Sequence, residues 1–86
     1  MWTVITTNLF NEWLDEQDES TQEKVLAGLV VLQQQGPSLG RPLVDTVYGS
    51  KFTNMKELRI QHKGKPLRAF FFFFSLRKAI VMCVGG

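Results

Sequence analysis

Disulfide-forming and metal-binding residues are nearly missing from this sequence. It holds one cysteine, Cys83, and one histidine, His62. A lone cysteine closes no internal disulfide, which fits a reducing cytoplasm. One His and one Cys make no ligand cluster, so neither a metal nor another cofactor is expected. His62 falls in a turn pattern beside three bases, where solvent exposure is the default. Cys83 lies within an apolar strand pattern and reads as a small buried hydrophobe. Long apolar runs are missing as well. The five phenylalanines Phe70 to Phe74 fall far short of the ~20 residues that span a bilayer. Met1-Trp2-Thr3-Val4 has neither the basic segment nor the apolar core of a secretory signal. No glycine-rich phosphate loop precedes a helix pattern, and no Ser/His/Asp or Cys/His set stands out. These gaps point to a cytoplasmic protein without membrane segments.

What is present fits one domain spanning residues 1–86, with a single core and little surplus stability. The net charge of +2 conceals a division. Residues 1–50 carry seven acids against two bases, a net of −5. Residues 51–86 carry eight bases against Glu57 alone, a net of +7. A basic half facing a polyanion explains the division, and so does mutual attraction between two solvated halves.

Trp2 to Thr6 is rich in β-branched and aromatic residues and predicts a first strand. Thr7 or Asn8 then caps a helix with an apolar stripe of Leu9, Phe10, Trp13 and Leu14, expected to stop near Gln17 or Asp18. Ser20-Thr21-Gln22-Glu23 reads as a capping box for a second helix, with Val25, Leu26, Leu29, Val30 and Leu32 buried. Gly36-Pro37 ends that helix. Residues 37–54 predict a long connection, with Tyr48 packed over the sheet edge and Lys51 and Phe52 at its end. Three strands follow, the last being Ala79 to Val84, whose apolar residues of both parities suit a central or doubly covered strand. The order is α+β, β-α-α-β-β-β, with a helical hairpin on one face of a mainly antiparallel sheet.

The middle strands carry the candidate chemistry. A two-residue loop at Lys63-Gly64 pairs Ile60 with Leu67, Leu58 with Ala69 and Arg59 with Arg68. Arg59, Arg68 and Glu57 then share a face with Phe70, Phe72 and Phe74. Like charges directly opposite each other destabilise a sheet. Either Glu57 neutralises the pair, or the two guanidinium groups serve an anionic ligand whose base stacks on Phe70 or Phe72. Such a site would cleave RNA without metal. The 2′-hydroxyl attacks the adjacent phosphate, and the arginines hold the developing charge. Lys51 and Lys56 are further candidates for RNA binding, and Glu57 for orienting the arginines. The phenylalanine run would invite aggregation if exposed, so a partner, a further segment or a homodimer through the open sheet would cover it.

Gly40-Arg41-Pro42-Leu43-Val44-Asp45, Lys56-Glu57-Leu58-Arg59, Leu67-Arg68-Ala69-Phe70-Phe71-Phe72 and Arg77-Lys78-Ala79-Ile80-Val81, in this order, resemble the RelE/ParE toxin superfamily. Among its branches the phage-derived Gp49-like, HigB-type one is the most similar. The resemblance spans the chain and implies a RelE-like fold and a bacterial or prophage-encoded toxin of a type II toxin–antitoxin system. It implies cleavage of mRNA on the ribosome and neutralisation by a cognate helix-turn-helix antitoxin. By position it assigns Arg59 to phosphate contact or transition-state stabilisation. Arg68 becomes a second catalytic or a structural arginine, and Lys51 and Lys56 become weaker basic matches. Members of the family continue past the last strand into a basic, aromatic segment, so truncation and a loss of activity are expected here. The alternatives are a ParE-like gyrase inhibitor and a non-catalytic protein-binding module.

Overall fold

A computed structural model describes residues 1–49, 54–75 and 77–85, without the side chains of Lys65 and Ser75. The chain runs β1 (Thr3–Thr6), α1 (Asn8–Asp15), α2 (Glu19–Gln35), a 3-10 turn (Gly36–Ser38), β2 (Val44–Thr46), β3 (Lys56–His62), β4 (Lys65–Ser75) and β5 (Lys78–Gly85). The strands form one sheet in the order β1-β5-β4-β3-β2. Among the described residues β1 and β5 pair in parallel, and the β2–β3, β3–β4 and β4–β5 pairings are antiparallel. The expected α+β architecture is therefore present, and the region expected to be one long connection contributes an additional edge strand, β2.

Thr7 caps α1. Its hydroxyl accepts the Phe10 amide at 3.1 Å and donates to the Met82 carbonyl at 2.6 Å. One side chain thus starts the helix and ties it to the sheet. The second helix is capped two residues before the predicted position. Asp18, not Ser20, is its N-cap, with Oδ1 accepting the Thr21 amide at 2.8 Å. A carboxylate there meets the positive end of the helix dipole, and its other oxygen receives Lys63 Nζ at 2.7 Å. Ser20 has no such second anchor. Because of that early cap, α1 also stops sooner than expected, at Asp15.

The buried stripe of α2 is Thr21, Val25, Leu29 and Leu32. Leu26 and Val30, expected inside, are each 49% exposed. They lie one residue past Val25 and Leu29, about 100° around the helix, which turns them off the sheet. Gly28 lies on the sheet side, where an added Cβ would stand 3.3 Å from Ile60 and 3.4 Å from Leu58. Helix and sheet approach closely there. At the far end Gly36, at φ +55, holds its backbone directly against the Trp2 indole, leaving no room for a side chain.

The helix-facing side of the sheet is Val44, Leu58, Ile60, Ala69, Phe71, Ala79 and Val81, packed against Phe10, Val25, Leu29, Leu32 and Leu39. A bulge sits in β5. Phe70 pairs with Cys83 and the next residue, Phe71, with Val81, leaving Met82 over. Val81 and Val84 consequently both turn inward despite opposite parity. That bulge, besides the strand's central place, explains why apolar residues in β5 do not alternate.

Thr7→Ala should destabilise the chain by about 1–2 kcal/mol, removing a cap and a bond to the bulge together. Thr7→Ser, which keeps the hydroxyl, should recover most of the loss in urea denaturation. Equal midpoints for Thr7→Ala and the parent chain would show that the hydroxyl holds nothing.

Candidate functional site

The Lys63-Gly64 loop takes φ +53 and +74, as a two-residue hairpin requires. Arg59 pairs with Arg68, Leu58 with Ala69 and Ile60 with Leu67, so the anticipated register holds. It places Glu57, Arg59 and Arg68 on the face turned away from the helices. Phe70 and Phe72 lie on the same face, both half-buried. Phe74 follows them, 47% exposed, with its ring centroid 6.3 Å from that of Phe72. Phe70 does not stand free: its ring lies over Gly85, where a Cβ would come within 3.0 Å of it.

The paired arginines are held by carboxylates. Glu57 Oε1 accepts Arg59 Nη2 at 3.1 Å, while Oε2 faces Arg68 Nε at 3.5 Å. The single acid of the basic half therefore bridges both cations. Asp45 is the part that sequence reasoning missed. It pairs with Glu57 across β2 and β3, and its Oδ2 accepts the same Arg59 Nη2 at 3.3 Å. Its Oδ1 takes Arg41 Nε at 3.1 Å. The result is an alternating row, Arg41, Asp45, Arg59, Glu57, Arg68. The Arg41-to-Asp45 spacing inside a Gly/Pro-rich connection was the available signal.

The two central arginines differ in availability. Arg59 is engaged by two carboxylates, and its Nε is buried without a hydrogen-bond partner. Among the described residues Arg68 has one long contact, and its side chain is 45% exposed. Arg68 is thus the more accessible of the two to an anion, whereas any anion at Arg59 would have to compete with Asp45 and Glu57. Bidentate guanidinium geometry suits that exchange, since phosphate and carboxylate present similar oxygen pairs.

The remaining expectations divide. Lys56 shares its parity with Leu58 and so lies on the helix side, apart from the arginines, with Nζ 3.5 Å from Thr46 Oγ1. Tyr48, expected to pack over the sheet edge, is 82% exposed. Lys51 and Phe52 lie outside the described residues. His62 is half-buried with Nε2 out of contact with water, because its parity points it toward α2 and not outward from the turn. Cys83 is half-buried opposite Phe70. Among the described residues, no three His, Cys, Asp or Glu side chains are grouped to hold a metal ion. No helix among them is long and apolar enough to cross a membrane.

Asp45 is held below the ordinary carboxylate value of 3.8, chiefly by the Thr46 amide at 2.8 Å and then by Arg41 and Arg59. Asp18 is driven further down, by Lys63 first and then by Thr21. A carboxylate depressed on folding stabilises the chain fully above its unfolded value, and the contribution fades as pH falls through the folded one. Asp45→Asn and Asp18→Asn should each lower the urea midpoint at pH 7, and the gap to the parent should close as pH drops below 3.8. A gap that stays constant on acidification would contradict the ionic account.

The family model for phage-derived Gp49-like proteins matches residues 12–86. A Mycobacterium tuberculosis protein that carries the name toxin HigB2 is 44% identical over 99% of this chain, which spans 42% of that protein. A second from the same organism, named toxin HigB3, is 37% identical over 96% of this chain and 70% of its own length. The chain thus covers less than half of the first relative. Among solved structures, a chain of the intact E. coli RelBE toxin–antitoxin complex superposes with a TM-score of 0.71 at 12% identity, covering 99% of this chain and 95% of its own. A copper-bound mutant toxin from Helicobacter pylori gives 0.63 at 16% identity, covering 100% and 94%. At those identities the structural likeness speaks for the fold alone, while the sequence matches settle kinship: the chain belongs to the phage-derived Gp49-like family.

Proposed function

We propose that this chain is the toxin of a type II toxin–antitoxin pair, and that it cuts mRNA on the ribosome in the bacterial cytoplasm. The observation that carries this reading is the Arg59–Arg68 pair on a solvent-facing sheet, beside the Phe70 and Phe72 rings. Kinship with proteins named as toxins supports the toxin role.

In the proposed reaction the 2′-oxygen of one nucleotide bonds to the adjacent phosphorus as the 5′-oxygen of the next departs. The 2′-hydroxyl proton ends on that leaving oxygen, and the products are a cyclic phosphate and a 5′-hydroxyl end. DNA has no such nucleophile, so the site acts on RNA. The non-bridging oxygens gain negative charge at the transition state. Arg68 receives them first, and Arg59 joins as the phosphate displaces a carboxylate. Glu57 keeps the two guanidinium groups side by side beforehand, so little reorganisation is left for the reacting state. Phe70 and Phe72 offer apolar surface to a neighbouring base. A helix-turn-helix antitoxin that covers this face would block the substrate.

The test is mRNA cleavage on purified ribosomes by the natural full-length protein carrying these residues. Arg68→Ala should lower the cleavage rate by about 10²–10³, the usual loss for one donor to a developing oxyanion. Its unfolding midpoint should barely move, because a single exposed contact contributes little. Arg59→Ala should lose both activity and stability. A folded protein that leaves mRNA intact but triggers DNA damage signalling would transfer the reading to gyrase.

A further inference from the structure

Beside β2, toward the helix side of the sheet, lies an open cleft of about 300 Å³. Leu39 and Val44 form its apolar base, exposed by only 8% and 5%. Three side chains with capacity to spare line it. Tyr48 leaves an amphipathic ring 82% in water. Lys56 has, among the described residues, only the Thr46 hydroxyl at 3.5 Å, and no carboxylate within ion-pair range. Arg41 is 73% exposed and shares Asp45 with Arg59. The cleft lining therefore holds two cations and one carboxylate, and that carboxylate is already divided between Arg41 and a third cation outside the cleft.

We propose that this cleft binds one nucleotide of a single-stranded RNA, with its phosphate on Lys56 and Arg41 and its base on the Tyr48 ring. An acidic peptide would need the cations alone. An exposed flat ring beside an apolar base adds what a nucleobase requires, because stacking is the sequence-tolerant part of single-strand binding. The volume lies at the lower end for small-molecule sites and suits a mononucleotide rather than a longer unit. Position connects this subsite with the arginine face, and the proposal rests on the RNA reading of that face. β2 is a three-residue strand at the sheet edge, and Asp45 within it bonds Arg41 on the cleft side and Arg59 on the outer side. A strand rounding that edge passes from one group of cations to the other.

The experiment titrates 5′-AMP into the ¹⁵N-labelled protein and measures affinity for a six-nucleotide single-stranded RNA. AMP should shift the Val44, Thr46, Tyr48 and Lys56 amides. Tyr48→Ala should weaken the RNA by about fivefold or more, corresponding to at least one lost stacking contact. Tyr48→Phe should recover most of that loss, since it keeps the ring. Lys56→Gln should reduce the slope of log affinity against log salt by about 0.7, the change for one phosphate contact in a single strand. AMP shifts confined to Arg68 and Phe70, or Tyr48→Ala within twofold of the parent, would overturn the cleft while leaving the cleavage reading intact. Tighter binding of a hexaglutamate than of RNA at the same amides would also overturn it. Nucleotide binding in the cleft by a protein that cuts no mRNA would retire the cleavage reading and leave the cleft standing.

Discussion

The β3–β4 register is the constraint on which both faces of this sheet depend. Side chains alternate along a strand, so a slip of one residue would send Leu58 and Ile60 into water and Arg59 into the core. The two-residue loop at Lys63-Gly64 excludes that slip by closing the hairpin with positive φ at both positions. Lys63 tolerates a conformation that favours glycine, and it also reaches Asp18 at the start of α2. The turn that sets the register is thereby tied to the helix that covers the resulting core.

Placing Arg59 opposite Arg68 follows from this register and costs the sheet electrostatic repulsion. Asp45 and Glu57 offset that cost, but they also create a like-charged pair of their own across β2 and β3. Each row is unfavourable alone, and the alternation of the two rows makes the cluster acceptable. The arrangement is thus a stable resting state, with each guanidinium held by carboxylate oxygens. Phosphate need not find naked arginines. In the proposed reaction it needs only to offer Arg59 oxygens at least as good as those of Asp45, with Arg68 as the first point of contact. The two explanations that the sequence left open for the arginine pair, neutralisation and ligand binding, are therefore compatible.

The phenylalanine run shows how one stretch serves two surfaces. Phe71 is fully buried, and Phe73 packs edge-on against both Phe71 and Trp2, at 5.4 and 4.9 Å between ring centroids. Phe70, Phe72 and Phe74 supply the other face. Trp2 in turn lies on Gly36, so the outer end of β4, the first residues of the chain and the end of α2 form one contact set. The bulge at Met82 does comparable work from the opposite edge of β4, keeping Val81 and Val84 inside and offering a carbonyl to Thr7.

The sequence by itself determined the elements whose signals are local. Alternation in Lys56 to Ser75 specified the hairpin and which residues share a face. Gly36-Pro37 specified the end of α2, and Thr7 or Asn8 the start of α1. The α+β architecture and the kinship followed from these. Tertiary structure decided the rest, because the competing signals were equal locally. Asp18 and Ser20 are both good caps, and only Lys63, 45 residues away, selects the first. Leu26 is as apolar as Val25, and only the direction of the sheet buries one and exposes the other. Asp45 became visible only when a three-residue strand within a supposed loop brought it beside Glu57 and Arg59, since pairing across strands is not encoded at any one position.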